Sequence, residues 1–479
     1  AAKDYFTGNT SYGGTINQQS YWGQVSGQLP AIFQSGNFGG PIDFVVGFDN
    51  RKESAEYVSD PMAYFAVTIR GSAQKGSGGQ YKVKSNFLEL SIPLVEDLPF
   101  AEEVRLDYGT RTLENANISR TNEYDVSATS LFWRINSDFA VRASDQTTTK
   151  SPNLLDLYGP RNPTFQQALD PCDSRYVDDG DFPANRRANC IADGIDPDSF
   201  RSFVAGGTVQ GTSGGNPNLL DEQGETTSFG LVFTPTYDFL EPFGNFSLAV
   251  DLIEIYLTDY VTTFSLQDFM EACYDAASFP NNFCLNFQRD GDGQVIDFQV
   301  GAGNSGVIDF GTYVYRLSWD HNIASMLGLR RDLGDIGLTW RGYQQTSRNQ
   351  ADSGDPEDLV DRTGWASDPE WLWDLNAAWS FNNLYAYYQV NFVDGGWINK
   401  SQTDTRADYY LGVNGQPITQ FDSYWTDLVG VAYNYDDKLS FTVRVNNPLD
   451  HDGSESRYQT ERGLNFVGRT ITTSFTYRF

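Results

Sequence analysis

Four cysteines are the first residues of this chain that could carry chemistry. They fall into two close sequence pairs, in polar segments rich in Gly, Pro, Asn and Asp: Cys172 with Cys190, and Cys273 with Cys284. Four cysteines allow three connectivities. The two local pairs are the simplest of these, and four free thiols are the alternative. A disulfide closing a loop of this size would raise the free energy of unfolding by roughly 3 kcal/mol, mainly by restricting the unfolded chain.

Metal binding is not predicted. His321 and His451 lie far from the cysteines in sequence and no CxxC pair is present, so zinc lacks a ligand set. The segment RDGDGQVID (289–297), with Asp290, Asp292 and Asp297, has some likeness to a calcium loop. An EF-hand would need a further acidic position and a distal Glu, and neither is present. A Gly-rich hairpin tip is the better interpretation, and no cofactor is expected.

Catalytic residues are not predicted either. The chain has 63 acidic residues, so carboxylate pairs of the kind that hydrolyse glycosides can be drawn almost anywhere and indicate little. Two histidines offer no defensible Ser-His-Asp triad. The acidic run DPCDSRYVDDGD (170–181) is interpreted as a solvated loop. We therefore expect a protein that is not an enzyme. A surface-exposed hydrolase is the least favoured of three functional hypotheses.

Two tryptophans are the candidate substrate-binding residues. Trp365 (RTGWAS) and Trp397 (GGWINK) lie between candidate strands, where an exposed indole could stack on a sugar or an aromatic ligand. Packing of one loop against another is the alternative. Trp371, Trp373 and Trp379 differ, because they share one face of a strand and are typical of a membrane-interface belt.

The elements that position these residues are strands. In GRTITTSFTYRF (468–479), mostly apolar residues alternate with polar ones, and this two-residue period predicts a strand with one apolar face. WLWDLNAAWSF (371–381) and LYAYYQVNF (384–392) repeat the pattern. About fourteen segments do so, or about fifteen with YWGQVSGQ (21–28), and helical periodicity over three turns is absent.

The connections between these segments alternate between short and long. The short ones are 97–103, 135–138, 235–245, 327–334, 381–384 and 434–438. The long ones are 111–122, 145–225, 259–306, 345–370, 393–421 and 446–469. In an up-and-down sheet this order places every long connection at one end. A transmembrane β-barrel has this form, with short periplasmic turns and long extracellular loops. A soluble sandwich or propeller is the alternative, but sandwich strands are usually shorter.

Composition narrows the class further. The formal net charge is −30, from 33 basic and 63 acidic residues, which argues against a nucleic-acid partner because phosphates require a basic surface. Aromatic residues make up 15% of the chain. No run reaches the roughly 18 apolar residues of a transmembrane helix. The predicted fold class is all-β: a transmembrane, up-and-down antiparallel β-barrel in contact with outer-membrane lipid.

Several motifs, in their order along the chain, resemble TonB-dependent outer-membrane transporters. KSPNLLDLYGP (150–160) is similar to the family's Arg-Ala-Pro…Glu-Leu segment, although it begins with Lys-Ser. GGNPNLLDEQGETTSFGLVFTP (214–235) resembles the start of the following strand. RVNNPLD (444–450) with VGRTITTSFTYRF (467–479) resembles the closing hairpin, with Asn-Pro-Leu-Asp in place of the usual turn. The two cysteine pairs resemble the long outer loops of one proteobacterial subgroup.

The resemblance implies a barrel of about 22 strands with a plugged lumen. Residues 1–479 would be the C-terminal part of that barrel, with about 14–15 of its strands, and no segment resembles the plug or the short box that engages TonB. We therefore expect the plug and the first strands on a missing segment or another chain. Phe475, Tyr477 and Phe479 would close the barrel and be read by the insertion machinery.

The function that the resemblance implies is TonB-energised uptake across the outer membrane of a Gram-negative bacterium. The solute would be scarce or large: an oligosaccharide, an iron chelate or a cobalamin-like ligand. It would bind between the outer loops and the plug, with the stapled loops 145–225 and 259–306 at the mouth. A passive diffusion porin is the alternative function, and the long loops and the family motifs argue against it.

Overall fold

One large antiparallel sheet accounts for most of the structure. The computed structural model describes residues 11–30, 37, 39–65, 75–180, 182–304, 306–351, 359–397, 420–450 and 468–478. Among these residues the sheet has 16 strands, and fifteen of them form one path in which each strand pairs with the next. The prediction of about fourteen to fifteen strands is therefore confirmed.

The strands of this path follow one another in chain order. Their bounds are β1 (Tyr12–Leu29), β2 (Ile42–Ser59), β3 (Ser77–Leu98), β4 (Ala101–Ala116), β5 (Thr121–Arg134), β6 (Phe139–Lys150), β9 (Glu222–Phe233), β10 (Asn245–Thr258), β14 (Val307–Asn322), β15 (Asp335–Ala351), β17 (Trp371–Phe381), β18 (Leu384–Val393), β21 (Tyr424–Asn434), β22 (Leu439–Asn446) and β23 (Thr470–Tyr477). The short strand β16 (Val360–Asp361) pairs with β15 alongside this path. The other strands of the described residues belong to smaller sheets.

The large sheet has two chemically different faces. Trp373 of β17 lies opposite Phe392 of β18 on one face, and the neighbouring pair, Asp374 and Asn391, lies on the other. We call these the apolar face and the polar face. In a closed transmembrane barrel the apolar face meets lipid and the polar face lines the lumen. The two-residue period of these segments therefore predicted the strands and the face of the sheet on which these four residues lie.

Three tryptophans of the apolar face mark one end of the sheet. Each indole N–H donates to a backbone carbonyl in a neighbouring short connection: Trp133 to Phe100 (2.9 Å), Trp319 to Phe243 (2.7 Å) and Trp379 to Leu333 (2.9 Å). Indoles with one apolar side and one satisfied N–H are typical of the membrane–water boundary. The end with the short connections thus carries an interfacial belt.

The connection predicted at 111–122 is shorter in the structure. β4 continues to Ala116 and β5 begins at Thr121, so only residues 117–120 join them. Strands of such barrels extend beyond the apolar band, where both faces are polar and the alternation that indicates a strand is lost. The connections predicted at 145–225, 345–370 and 446–469 are shortened in the same way, to 151–221, 352–370 and 447–469, whereas 259–306 keeps its predicted bounds and 393–421 becomes 394–423. The connections 352–370, 394–423 and 447–469 lie partly outside the described residues.

Smaller sheets occupy the long connections. A five-stranded sheet contains β7 (Asn162–Gln166), β8 (Val209–Gly214), β11 (Val261–Phe264), β12 (Phe287–Arg289) and β13 (Val295–Asn304). In it β13 runs parallel to β8, so residues from two different connections share one sheet. A two-stranded sheet pairs β19 (Gly396–Trp397) with β20 (Gln420–Phe421).

The α-helices among the described residues are short. They are α1 (Pro61–Tyr64), α2 (Leu154–Tyr158), α3 (Pro183–Ala192), α4 (Leu266–Tyr274) and α5 (Ile323–Leu327). Asn153 accepts hydrogen bonds from two N–H groups at the start of α2, and Ser265 forms a capping box with Asp268 at the start of α4. Within the described part of the chain, no helix has the length and apolarity needed to span a membrane.

The strands β1 and β23 form the two edges of the large sheet. They do not pair with each other among the residues that the structure describes. Almost every residue of β1 is exposed on both faces. Each edge therefore presents a row of backbone N–H and C=O groups along which another strand could pair.

Candidate functional site

The two connections that carry the cysteines fold together. Residues 151–221 and 259–306 share the five-stranded sheet, α3, α4 and one apolar core, and we call this unit the stapled domain. Its core includes Phe269, Met270 and Phe298, all at most 5% exposed. The disulfides are Cys172–Cys190 and Cys273–Cys284, with Cα–Cα distances of 5.6 and 5.0 Å. The prediction of two local pairs is confirmed.

A buried ion pair lies at the centre of the stapled domain. The guanidinium of Arg289 donates two hydrogen bonds of 2.8 Å to the carboxylate of Asp170, and both side chains are at most 8% exposed. Arg289 also donates to the hydroxyl of Tyr274 (2.9 Å), which in turn donates to Asp193 (2.6 Å). Burial raises the pKa of Tyr274, so its hydroxyl stays protonated as a donor. This network fixes β12 against the loop that follows β7.

A second buried carboxylate, Asp173, organises the neighbouring loop, so the interpretation of 170–181 as a solvated loop is wrong for Asp170 and Asp173. Its side chain is fully buried and accepts hydrogen bonds from the guanidinium of Arg175 (2.6 Å) and the backbone N–H of Ser202 (2.8 Å). Burial alone would raise the pKa of Asp173, but these hydrogen bonds outweigh it and hold the pKa well below its usual range. Asp173 is therefore ionised at neutral pH and ties together parts of the chain about thirty residues apart in sequence.

The stapled domain docks on the polar face of the large sheet through α2. Leu154, Leu157 and Tyr158 of α2 pack in one buried cluster with Tyr81 and Val83 of β3. The packing of α2 on β3 leaves no room for a side chain at residue 79, because a Cβ on Gly79 would overlap the ring of Tyr158. The hydroxyl of Tyr158 donates to the carbonyl of Gln80 (2.8 Å). The domain thus covers part of the polar face at the end with the long connections.

Charged side chains on the polar face pair with one another. Arg142 donates to Asp251 (2.7 Å) across β9, where Gly230 leaves the room that both side chains need. Arg105 donates to Asp107 (3.2 Å) on the same face. These pairs give the wall a polar, charge-balanced surface suited to water or to a polar protein segment.

The structure brings the two predicted ligand-binding tryptophans together. The Ala366 N–H donates to the Trp397 carbonyl (2.7 Å), and the Trp397 N–H donates to the Gly364 carbonyl (3.0 Å). The backbone contact is of the loop-to-loop kind named above as the alternative. The side chains differ: Trp365 stacks on the guanidinium of Arg362, whereas Trp397 is 40% exposed and lines a cavity. Ligand binding by either residue stays a prediction.

The cavity beside Trp397 has a volume of about 440 Å³. Its walls come from two connections, with Thr363 and Glu370 on one side and Asp394 and Asp422 on the other. The sequence did not single out these four polar residues. The acidic residues stand out weakly among 63 carboxylates, and only the tryptophan gave a usable signal.

The segment 289–297 is a hairpin tip, as interpreted from its glycines. The Asp290 N–H donates to the Gln294 carbonyl (2.9 Å), and the Asp290 carboxylate accepts from the N–H groups of Asp292 and Gln294. Its oxygens are thus directed at the backbone of its own turn. In the described ranges, no group of three or more His, Cys, Asp or Glu side chains is arranged to hold a metal ion.

The predicted closing residues lie on the last strand. Phe475 pairs with Phe441 and Tyr477 with Leu439, on the apolar face. Both are more than half exposed along the free edge. Phe479 lies outside the described residues. Their role as an insertion signal stays a prediction.

Sequence comparison and structure comparison give different results for this chain. No protein-family model matches the sequence, and no curated protein matches it. Solved structures do match. The fold is that of the barrel portion of TonB-dependent siderophore receptors, which confirms the predicted fold class.

Three solved structures illustrate the match. They are the siderophore receptor PirA from Acinetobacter baumannii (13% identity, TM-score 0.57), a mutant of the ferric enterobactin receptor from Pseudomonas aeruginosa in complex with enterobactin (15%, 0.55), and the FrpB iron transporter from Neisseria meningitidis (11%, 0.51). Each match covers 97% of this chain but only 55% of the other. The chain therefore spans about half the length of these receptors, which are transport proteins and not enzymes.

Proposed function

We propose that the complete protein imports a scarce or large solute across the outer membrane of a Gram-negative bacterium, with energy supplied through TonB. The observation that carries this proposal is the shared fold over 97% of the chain, at 55% of the length of a siderophore receptor. The solute is an oligosaccharide, an iron chelate or a cobalamin-like ligand. No covalent chemistry is involved.

The free edges of β1 and β23 support the proposal that other segments complete the barrel. A sheet in a bilayer must close, because no water is present to satisfy its edge groups. We expect further N-terminal strands to pair with both edges and a plug domain to fill the lumen, on an upstream segment or another chain. The polar wall of β2–β6 supports this, since its cavity of about 440 Å³ is lined by residues such as Asp107, Ser130 and Ser144. TonB would engage the plug.

The stapled domain supports a binding role at the end opposite the indole belt. Its own core, two disulfides and docking on β3 make it a preformed wall at the barrel mouth. Preorganised walls lower the entropic cost of holding a ligand. We propose that the solute binds between this domain, the Trp397 cavity and the plug.

Uptake by cells tests the proposal. The complete protein is expressed in isogenic strains with and without tonB, and accumulation is measured for a labelled maltooligosaccharide, ferric enterobactin and cyanocobalamin. We expect one of these solutes to accumulate only in the strain that has tonB. Equal accumulation in both strains would contradict energised import and favour passive diffusion.

A further inference from the structure

The Trp397 cavity is built from backbone contacts that hold its walls in place. Gly396 pairs with Phe421, and Trp397 pairs with Gln420. A Cβ on Gly396 would come within 2.7 Å of the Ala366 nitrogen, so only glycine allows the two connections to approach this closely. The cavity wall is therefore shaped by the main chain, and the Trp397 side chain can be replaced without removing the hydrogen bonds that hold it.

The size of the cavity suits a small ligand or one unit of a larger ligand. Its volume of about 440 Å³ falls within the range of roughly 300–1,000 Å³ that is usual for small-molecule sites. Exposed indole surface is a good stacking partner for a flat, weakly polar ring face. Trp397, at 40% exposure, supplies that surface.

The polar groups of the cavity are three carboxylates, together with the amide of Gln420 and the hydroxyls of Thr363 and Ser423, which can donate as well as accept. Glu370, Asp394 and Asp422 contribute carboxylates, which accept hydrogen bonds from hydroxyl groups. The hydroxyl of Thr363 is buried and has no hydrogen-bond partner in the described part of the chain. The described lining residues include no Lys, Arg or His. An anionic ligand would therefore meet like charge, whereas an uncharged ligand rich in hydroxyl donors would be complemented.

We propose that this cavity binds one ring of a neutral carbohydrate, with the ring face stacked on Trp397 and its hydroxyl groups donating to the surrounding carboxylates. This inference rests on the proposed function and narrows its solute class to an oligosaccharide. The three carboxylates of the described lining set it apart from a site for an anionic iron chelate.

Calorimetric titration of the purified complete protein tests the assignment. The probes are maltohexaose, cellohexaose and N-acetylchitohexaose, with ferric enterobactin as the anionic comparator. We expect at least one hexasaccharide to bind and Trp397→Ala to weaken that binding at least about ten-fold, while Trp397→Phe retains an intermediate affinity. Tyr435→Ala is the matched control, because Tyr435 is a 65% exposed aromatic of a short connection, at the end of the sheet opposite the stapled domain and the Trp397 cavity, and it should bind as the unmodified protein does.

Three results would overturn the assignment: no hexasaccharide binds, Trp397→Ala binds as tightly as the unmodified protein, or ferric enterobactin binding depends on Trp397. Different results would contradict the proposed function, so the two proposals can be told apart. Import that requires tonB without hexasaccharide binding refutes only the carbohydrate site. Hexasaccharide binding with tonB-independent import refutes only the energised mechanism.

Discussion

Gly79 shows how one residue can decide where a domain sits. A Cβ at this position would overlap the ring of Tyr158, whose hydroxyl also bonds to the backbone beside it. We predict that Gly79→Ala displaces α2 and weakens docking of the stapled domain by about 1–3 kcal/mol, the usual cost of overpacking. Hydrogen exchange over residues 151–158 should become faster.

Gly109→Ala is the matched control for this substitution. Gly109 also lies within a strand, on β4, but a Cβ there would meet its nearest neighbour at 3.7 Å, an ordinary contact. This variant should keep slow exchange over the same segment. Equal exchange in both variants would show that the contact with Tyr158 does not hold the domain.

Asp173 makes the stapled domain sensitive to acid. Its folded-state pKa lies below its unfolded value, so its stabilisation is complete above roughly pH 4 and is lost as the pH falls toward the folded-state pKa. We predict that stability against proteolysis falls on acidification from pH 4 to pH 2. Asp173→Asn should be less stable at pH 7 and lose less on acidification.

Asp178→Asn is the control for this pH dependence. Asp178 is a 69% exposed partner of Arg187, and exposed ion pairs contribute little to stability. Its variant should therefore follow the unmodified protein at every pH. A parallel acid response of Asp173→Asn and the unmodified protein would contradict the role given to Asp173.

At the residue scale, the sequence singled out candidate residues of rare type, tryptophan and cysteine. It did not single out residues of common type, such as aspartate, glutamate and glycine. Trp365 and Trp397 could be selected because a tryptophan in a polar connection is unusual, and the cysteines because they came in close pairs. Glu370 and Asp394 could not, because their meeting in one cavity depends on the pairing of two connections. Gly79 could not either, since its partner Tyr158 lies 79 residues away and on another element.

At the scale of elements, the disulfides should stabilise the stapled domain and leave the sheet unaffected. We predict that Cys172→Ala/Cys190→Ala lowers the unfolding free energy of that domain by about 3 kcal/mol, because the loop it closes is 18 residues long. Limited proteolysis should cleave within 151–221. The heat-modifiable gel mobility of the complete barrel should not change, and its loss would contradict a separate role for the domain.

The strands of the large sheet were predictable and the stapled domain was not. The two-residue period survives in single strands such as β17 and β23, because each has one face in an apolar environment. The five-stranded sheet leaves no such signal: β13 pairs in parallel with β8, which lies about 87 residues earlier, and its strands are short. Strand ends beyond the apolar band were also missed, as between β4 and β5.

At the scale of the whole molecule, the polar face and the free edges both support the proposal that further segments complete the barrel. A lumen lined by paired charges such as Arg142–Asp251 would fill with water unless another segment occupied it. The receptors with the same fold are nearly twice the length of this chain. The proposed import involves a plug in this lumen, and a plugged barrel differs from a porin in one measurable property.

That property is the conductance of the complete protein, with its plug, in a planar lipid bilayer. We predict a nearly closed barrel under moderate voltage. We also predict a large steady conductance when the plug is removed and the barrel strands are kept. A large steady pore in the complete protein would contradict energised import and identify a passive diffusion channel.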